Sequence, residues 1–232
     1  MLILGIESAT AQVGCAIGGH EGVLASAHSS KHRRHAENLT PAIEFICEQA
    51  RIDLSEIGLV AVDVGPGLFT GLRVGIASAK AVAFALRVPM IGVSSLDLLA
   101  FPVRFSPRLI VAAIDARRGE VYFAFYRQVP GGVQRISDHA VGTPDDLASE
   151  LLATGEEALL VGDGAHRYRE AFEGQARVEI VDQGSSHPSA ASLVQLAHAQ
   201  ALREEFAQID EIAPIYLRRP DAEINWITRD SA

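Results

Sequence analysis

The chain has 232 residues, 48% hydrophobic and 21% charged, the balance of a globular protein with apolar side chains enough for one compact body or two small lobes. Its formal net charge of −9 argues against tight nucleic-acid binding by the chain alone, because attraction to phosphates dominates that affinity. The two cysteines, Cys15 and Cys47, make neither a disulfide framework nor a paired metal spacing.

The opening residues read as a first strand and not as a signal peptide. No stretch supplies the roughly 18 uncharged apolar residues of a membrane span. A cytoplasmic protein without a membrane partner is therefore expected. The local exception to the acidic character is Lys31-His32-Arg33-Arg34-His35.

In chain order, residues 2–6, 13–17 and 23–27 are short apolar segments. The last two flank the turn residues 18–22, so three consecutive strands are expected, the second pair a hairpin. Leu39, Ile43, Ile46 and Ala50 then recur at helical spacing. That helix starts either at a Thr40 cap, with Pro41 in its first turn, or near His35 with a bend at the proline.

Residues 59–64 read as an apolar strand buried on both faces. Gly65-Pro66-Gly67 breaks it, and a helix over residues 70–86 follows. Within that helix Gly71, Gly75, Ala79 and Ala83 form a stripe almost without side chains. A strand over 88–93 leads to a short helix opened by Ser94-Ser95-Leu96, and Pro102 and Pro107 mark a lobe boundary. Beyond it, residues 109–114 and 121–126 are strands around Asp115-Ala116-Arg117-Arg118-Gly119. Residues 145–152 are helical, 159–161 form a strand ending at Gly162-Asp163-Gly164, and His187-Pro188-Ser189 opens the last long helix. The second half is a shortened echo of the first in its order of elements.

Several segments have the residue types that chemistry needs. Glu7, Ser8 and Thr10 at the end of the first strand could position a hydrated metal and hold phosphates, or cap a turn. The glycines from Gly65 to Gly75 could admit a phosphate at a helix start. They lack the lysine of a P-loop and the spacing of a dinucleotide fingerprint, and tight packing explains them as well. His28, His32 and His35 would share a helical face but have no obvious further ligand among the nearby basic residues, so a solvated segment is expected there. The Asp115–Arg118 turn could bind an anion through its arginines, or simply join two strands, and it is expected to serve structure more than catalysis. Asp163 between two glycines could contact a nucleotide or cap a helix, and the cap is expected. No nucleophile elbow and no His-Glu-x-x-His pattern is present.

The segment Gly65-Pro66-Gly67-Leu68-Phe69-Thr70-Gly71-Leu72-Arg73 resembles the hallmark of the TsaB (YeaZ) family, Gly-Pro-Gly-Ser-Phe-Thr-Gly-Leu-Arg. Further blocks match in family order from end to end. They are Leu4-Gly5-Ile6-Glu7-Ser8, the His35–Pro41 helix entry, Gly92-Val93-Ser94-Ser95-Leu96, Ile114-Asp115-Ala116-Arg117-Arg118, Val121-Tyr122, Gly162-Asp163-Gly164, His187-Pro188 and Pro214-Ile215-Tyr216-Leu217-Arg218. Two positions depart: Leu68 replaces the usual serine and Glu7 the usual aspartate.

The resemblance implies an α/β, two-lobe actin-like ATPase fold of the ribonuclease H-like class with a reduced second lobe. The lobes would be residues 1–103 and 104–232, the terminal helix a candidate to pack back on the first. It implies a non-catalytic scaffold subunit of the bacterial complex that places threonylcarbamoyl on the adenosine beside the tRNA anticodon. The partners would be TsaD, which carries the metal and transferase site, and the ATPase TsaE, with tRNA met through the complex and a homodimer when TsaD is absent. Neither a catalytic residue nor a metal site is carried over, and ATP and metal are expected in the partner subunits. The partner surface is expected on the first-lobe helices, at Ala42, Phe45, Gly71, Gly75, Ala79 and Ala83. The alternatives are an independent small actin-like phosphotransferase and a stand-alone peptidase.

Overall fold

The structure, a computed structural model, describes residues 1–30 and 35–218. The basic residues Lys31, His32, Arg33 and Arg34, and Arg219 of the tail, lie outside the described residues.

Alternation of side chains builds a first sheet that is covered on both faces. Its strands are β1 (Leu2–Glu7), β2 (Val13–Gly19), β3 (Gly22–Ser29), β4 (Ile57–Gly65) and β5 (Met90–Ser94), in the order β3-β2-β1-β4-β5. The first three pair antiparallel, as short turns permit, whereas β4 and β5 run parallel to β1 and need helical crossovers. Those crossovers are α1 (His35–Ala50) and α2 (Phe69–Leu86). Leu39, Ile43 and Ile46 of α1 and Ile76, Ala79 and Ala83 of α2 bury against Leu4, Ile6, Val60 and Val62. The alternate residues Ile3, Leu59, Ala61, Ile91 and Val93 face the other way. There they meet Leu193, Val194 and Ala197 of α6 (Ala190–Ala201).

The second sheet repeats this order in reduced form. Its strands are β6 (Leu109–Arg117), β7 (Glu120–Val129), β8 (Gly132–Arg135), β9 (Ala140–Gly142), β10 (Ala158–Val161) and β11 (Val178–Ile180). Read as β8-β7-β6-β10-β11, the path has the pattern of the first sheet, with β9 pairing beside β8 on β7. Where the first lobe has the 18-residue α2, the second has the five-residue α5 (Asp163–Arg167). One face packs on α4 (Pro144–Thr154) and α5 through Leu147, Leu151 and Ala165, and on Phe172 just beyond α5. The other face, Ile110, Ala112, Tyr122 and Tyr126, receives Leu96, Leu99 and Ala100 of α3 (Ser95–Ala100). The helices therefore exchange sheets: α3 follows the first sheet and covers the second, while α6 follows the second and covers the first.

After α6 the chain returns along both lobes. Ala207 donates its N–H to the Met90 carbonyl (2.9 Å) at the open edge of β5, and Ile215 donates to Val64 (2.7 Å). Tyr216 stacks on Phe69, ring centres 5.4 Å apart, and Arg73 Nε donates to its hydroxyl at 3.1 Å. Arg218 reaches the second lobe, pairing with Glu120 and donating to the Ala116 carbonyl at 3.2 Å.

Helix α1 begins at His35 and runs through Pro41, the second of the two starts expected. Other elements differ from expectation. The last helix starts at Ala190, because the Ser189 hydroxyl caps it by accepting from Ser192 N–H at 3.1 Å. Strands β8, β9 and β11 and helix α5 hold three to five residues each, too few for a period to register. Helix α2 has the length and hydropathy of a membrane span. It carries Arg73 and Lys80, and one face is packed on the first sheet.

Candidate functional site

The loop after β1 is where an actin-like ATPase would hold phosphates, and here it is filled from within. The Glu7 Oε1 accepts from Ala9 N–H at 2.8 Å. Ser8 donates its hydroxyl to the Gly71 carbonyl at 2.8 Å, and Leu68 N–H donates to the Ala9 carbonyl at 2.7 Å. Glu7, Ser8 and Thr10 are all buried. Gly67 lies so close that a Cβ there would run into the Ala9 carbonyl, and one at Gly75 would meet the Ser8 hydroxyl. The glycine segment therefore lets α2 and its turn sit against this loop. Leu68 occupies the N-cap of α2 and makes no side-chain cap bond, so the hydroxyl that the family's serine would offer is lost.

Gly67→Ala is expected to push this turn off the β1 loop and to cost about 1–3 kcal/mol. Gly184→Ala, where a Cβ meets nothing within 4 Å among the described residues, should change stability by less than about 0.5 kcal/mol. Urea midpoints of the two variants check this.

A pair of buried carboxylates stands beside the loop. The parallel register sets Ile6 against Val62, so the next residues, Glu7 and Asp63, are neighbours on the α6-covered face. Asp63 Oδ1 accepts from Gly65 N–H (2.7 Å) and the Ser95 hydroxyl (2.6 Å). Among the described residues, Glu7 Oε2 and Asp63 Oδ2 have no hydrogen-bond partner. Burial pushes the Asp63 carboxyl up to about 7, and burial, then the charge of Asp63, raises Glu7 well above the usual carboxylate range. Sequence reading missed Asp63 by treating residues 59–64 as purely apolar. The signal was an acid at the same strand-end position as Glu7.

In the second lobe Asp115, Arg117, Arg167 and Tyr168 come together. Asp163 braces β6 by accepting from Asp115 N–H at 3.0 Å. It sits in the first turn of α5 and Gly162 is the cap residue, which corrects the expected capping role. Another polar cluster joins the lobes. Ser94 Oγ lies 3.0 Å from His139 Nε2, Arg135 contacts the same nitrogen, and Tyr126 donates to Asp97 at 2.8 Å. Burial, then the Arg135 charge, holds the His139 pKa below its ordinary value. Ser94 is buried and caps α3 by accepting from Leu96 N–H.

The small-residue stripe turns inward. Gly71, Gly75, Ala79 and Ala83 are all buried within the chain, which corrects their assignment to a partner surface: the close neighbour they admit is the chain's own first lobe. Ala42 is half-buried, and Phe45 is 51% exposed. The outward face of α2 instead presents Arg73, Ala77, Ala81 and Phe84, the last 77% exposed. Of the three histidines, His28 is exposed on β3 and His32 lies outside the described residues.

The family model for TsaD, tRNA N6-adenosine threonylcarbamoyltransferase, matches residues 22–226, which include strands of both sheets. An uncharacterised protein of Mycobacterium leprae is 36% identical over 225 residues, 95% of this chain, and the chain spans 56% of that relative's length. The Bacillus subtilis tRNA threonylcarbamoyladenosine biosynthesis protein TsaB is 29% identical over 232 residues, 98% of each chain. The solved structure of YeaZ from Pseudomonas aeruginosa superposes with a TM-score of 0.82 at 28% identity, covering 93% of this chain and 99% of that one. On the repeated strand order, the glycine segment and these matches, the chain belongs to the TsaB (YeaZ) branch of the actin-like TsaD family.

Proposed function

We propose that this chain acts in tRNA threonylcarbamoyladenosine biosynthesis as a non-catalytic scaffold, binding a TsaD transferase in the cytoplasm and meeting tRNA through the complex. The role in that pathway rests on the TsaB relatives. The observation that supports the scaffold reading is the filled β1 loop. Its hydroxyl and carbonyl groups are bonded to Gly71 and Leu68 of the same chain, so a phosphate would have to displace protein bonds to enter. Transfer chemistry, ATP and metal then fall to TsaD and to a TsaE ATPase joining a ternary complex. The partner surface would be the outward side of α1 and α2, with Phe45 and Phe84 as apolar anchors. A homodimer could use the same surface when the transferase is absent.

The purified chain alone is expected to show no ATP hydrolysis and no tRNA modification. Adding TsaD, TsaE and the threonylcarbamoyl donor should give modification that drops to background when this chain is left out. Full turnover by the single chain would overturn the scaffold reading in favour of an independent actin-like phosphotransferase.

A further inference from the structure

Asp115 is almost completely shielded and serves as a pedestal for two arginines. Its Oδ1 accepts from Arg117 N–H at 2.9 Å and from the Tyr168 hydroxyl at 3.0 Å. Its Oδ2 pairs with Arg117 Nη1 at 3.1 Å and Arg167 Nε at 3.4 Å. The two guanidiniums come from different elements, the end of β6 and the end of α5. They meet beyond the carboxyl ends of the neighbouring parallel strands β6 and β10. That is the place where open α/β sheets take ligands.

Their side chains are 50% and 57% exposed, so both guanidiniums keep solvent-facing surface, Arg167 while also engaging Tyr168. The two guanidiniums share the single carboxylate of Asp115. The nearby Glu120 is engaged by Arg218. Burial raises the Asp163 carboxyl, whose charge also acts on Arg117 and Arg167. A third arginine, Arg118, is exposed at the hairpin tip.

The backbone is unusual as well. Arg117 and Arg118 have φ of 65° and 56°, and Gly119 follows at 79°. Only the glycine is at ease in that left-handed region, and a tight hairpin of this kind favours Asn-Gly. Arginines kept in such positions at some conformational cost are what a functional turn shows. Planar guanidiniums held in place by a carboxylate match the oxygens of a phosphate.

We infer that the Arg117–Asp115–Arg167 fork, with Arg118 at its tip, binds a backbone phosphate of the RNA on which the complex acts. This rests on the subunit reading above. Asp115 is a positioning residue, and the arginines bind without taking part in transfer. A nucleoside triphosphate is the other source of phosphate oxygens. In a two-lobe fold it is gripped from both sides, and here the first-lobe loop is already filled by Gly67 and α2. A phosphodiester needs only the open fork.

The test uses the assembled complex with TsaD and a fluorescent substrate tRNA, with Kd measured between about 50 and 200 mM salt. Arg117→Gln/Arg167→Gln should bind tRNA about 5- to 30-fold more weakly, and the slope of log K against log salt should become shallower by about one to two. Arg117→Lys/Arg167→Lys should recover the slope. Arg127→Gln, whose arginine pairs with Glu156 elsewhere on the second sheet, should match the parent. Co-purification with TsaD and thermal melting report assembly and folding separately. An assembled, folded Gln variant with the parent's Kd and slope overturns the inference and leaves the subunit reading standing. Loss of ATP binding with unchanged tRNA binding assigns the fork to a nucleotide and also overturns it. A parent chain that forms no complex with TsaD removes the subunit reading and this inference with it.

Discussion

Phe84→Glu is expected to leave the fold intact and to break association with the transferase, whereas Ala79→Glu unfolds the first lobe. Both positions lie on α2, on opposite sides. Phe84 is 77% exposed, so a glutamate there changes the stability of the free chain by less than about 0.5 kcal/mol. Within an interface the same carboxylate must give up water without a partner. A penalty of about 3–5 kcal/mol corresponds to roughly a hundredfold or greater loss of affinity. Phe45→Glu on α1 should act in the same direction. Ala79 is 0% exposed and packs in the cluster that includes Val60 and Val62. A glutamate there both overfills the site and buries a charge, at a cost comparable with the whole stability of a small domain, about 5–15 kcal/mol. Thermal melting and light scattering of the mixtures distinguish these outcomes. If Phe45→Glu and Phe84→Glu fold normally and bind TsaD as tightly as the parent, the partner surface is not on these helices.

Raising the pH is expected to weaken the fold through Glu7 and Asp63. A carboxyl whose pKa is higher in the folded chain than in the unfolded one is bound to more protons when folded. Its contribution is fully present below the unfolded pKa, about 3.9 for aspartate, and is lost as pH rises through the folded value. For Asp63 that value is about 7, so the loss spans roughly pH 4 to 8 and is on the order of 4 kcal/mol. Glu7 shifts in the same direction.

Exposed carboxylates with lowered pKa, Asp53 and Asp146 among them, act oppositely in acid, so the useful quantity is the difference between variant and parent. Asp63→Asn keeps an oxygen for Gly65 and Ser95 and offers an N–H towards Glu7. Its advantage over the parent in urea stability should be large at pH 8, smaller at pH 5, and gone below about pH 4. Parallel stability curves for the two proteins would remove the buried pair as the cause.

The regular part of this architecture was open to sequence reading because its periods are long enough to register. Strands β1 to β3, the two helices of the first lobe and the β6–β7 hairpin all show it. The direction of the glycine and alanine stripe was not. Spacing of four says that something approaches closely, and a sheet of the same chain satisfies that as well as a partner does. Asp63 was hidden by the apolar residues around it, although its strand-end position matched that of Glu7. Arg167 and Tyr168 stand about fifty residues beyond Asp115, and only the parallel pairing of β6 with β10 brings them to it. The filled loop after β1 depended on how close Gly67 comes to Ala9, a tertiary distance that no local pattern carries.

The exchange of helices between sheets bears on how the chain is made. The face of the first sheet formed by Ile3, Leu59, Ala61 and Ile91 is closed by Leu193, Val194 and Ala197, which leave the ribosome after nearly all of the second lobe. During synthesis this apolar face has no cover of its own. The early half is therefore expected to need shielding until α6 emerges, and a nascent chain stalled before Ala190 should aggregate or be degraded instead of surviving as a folded fragment.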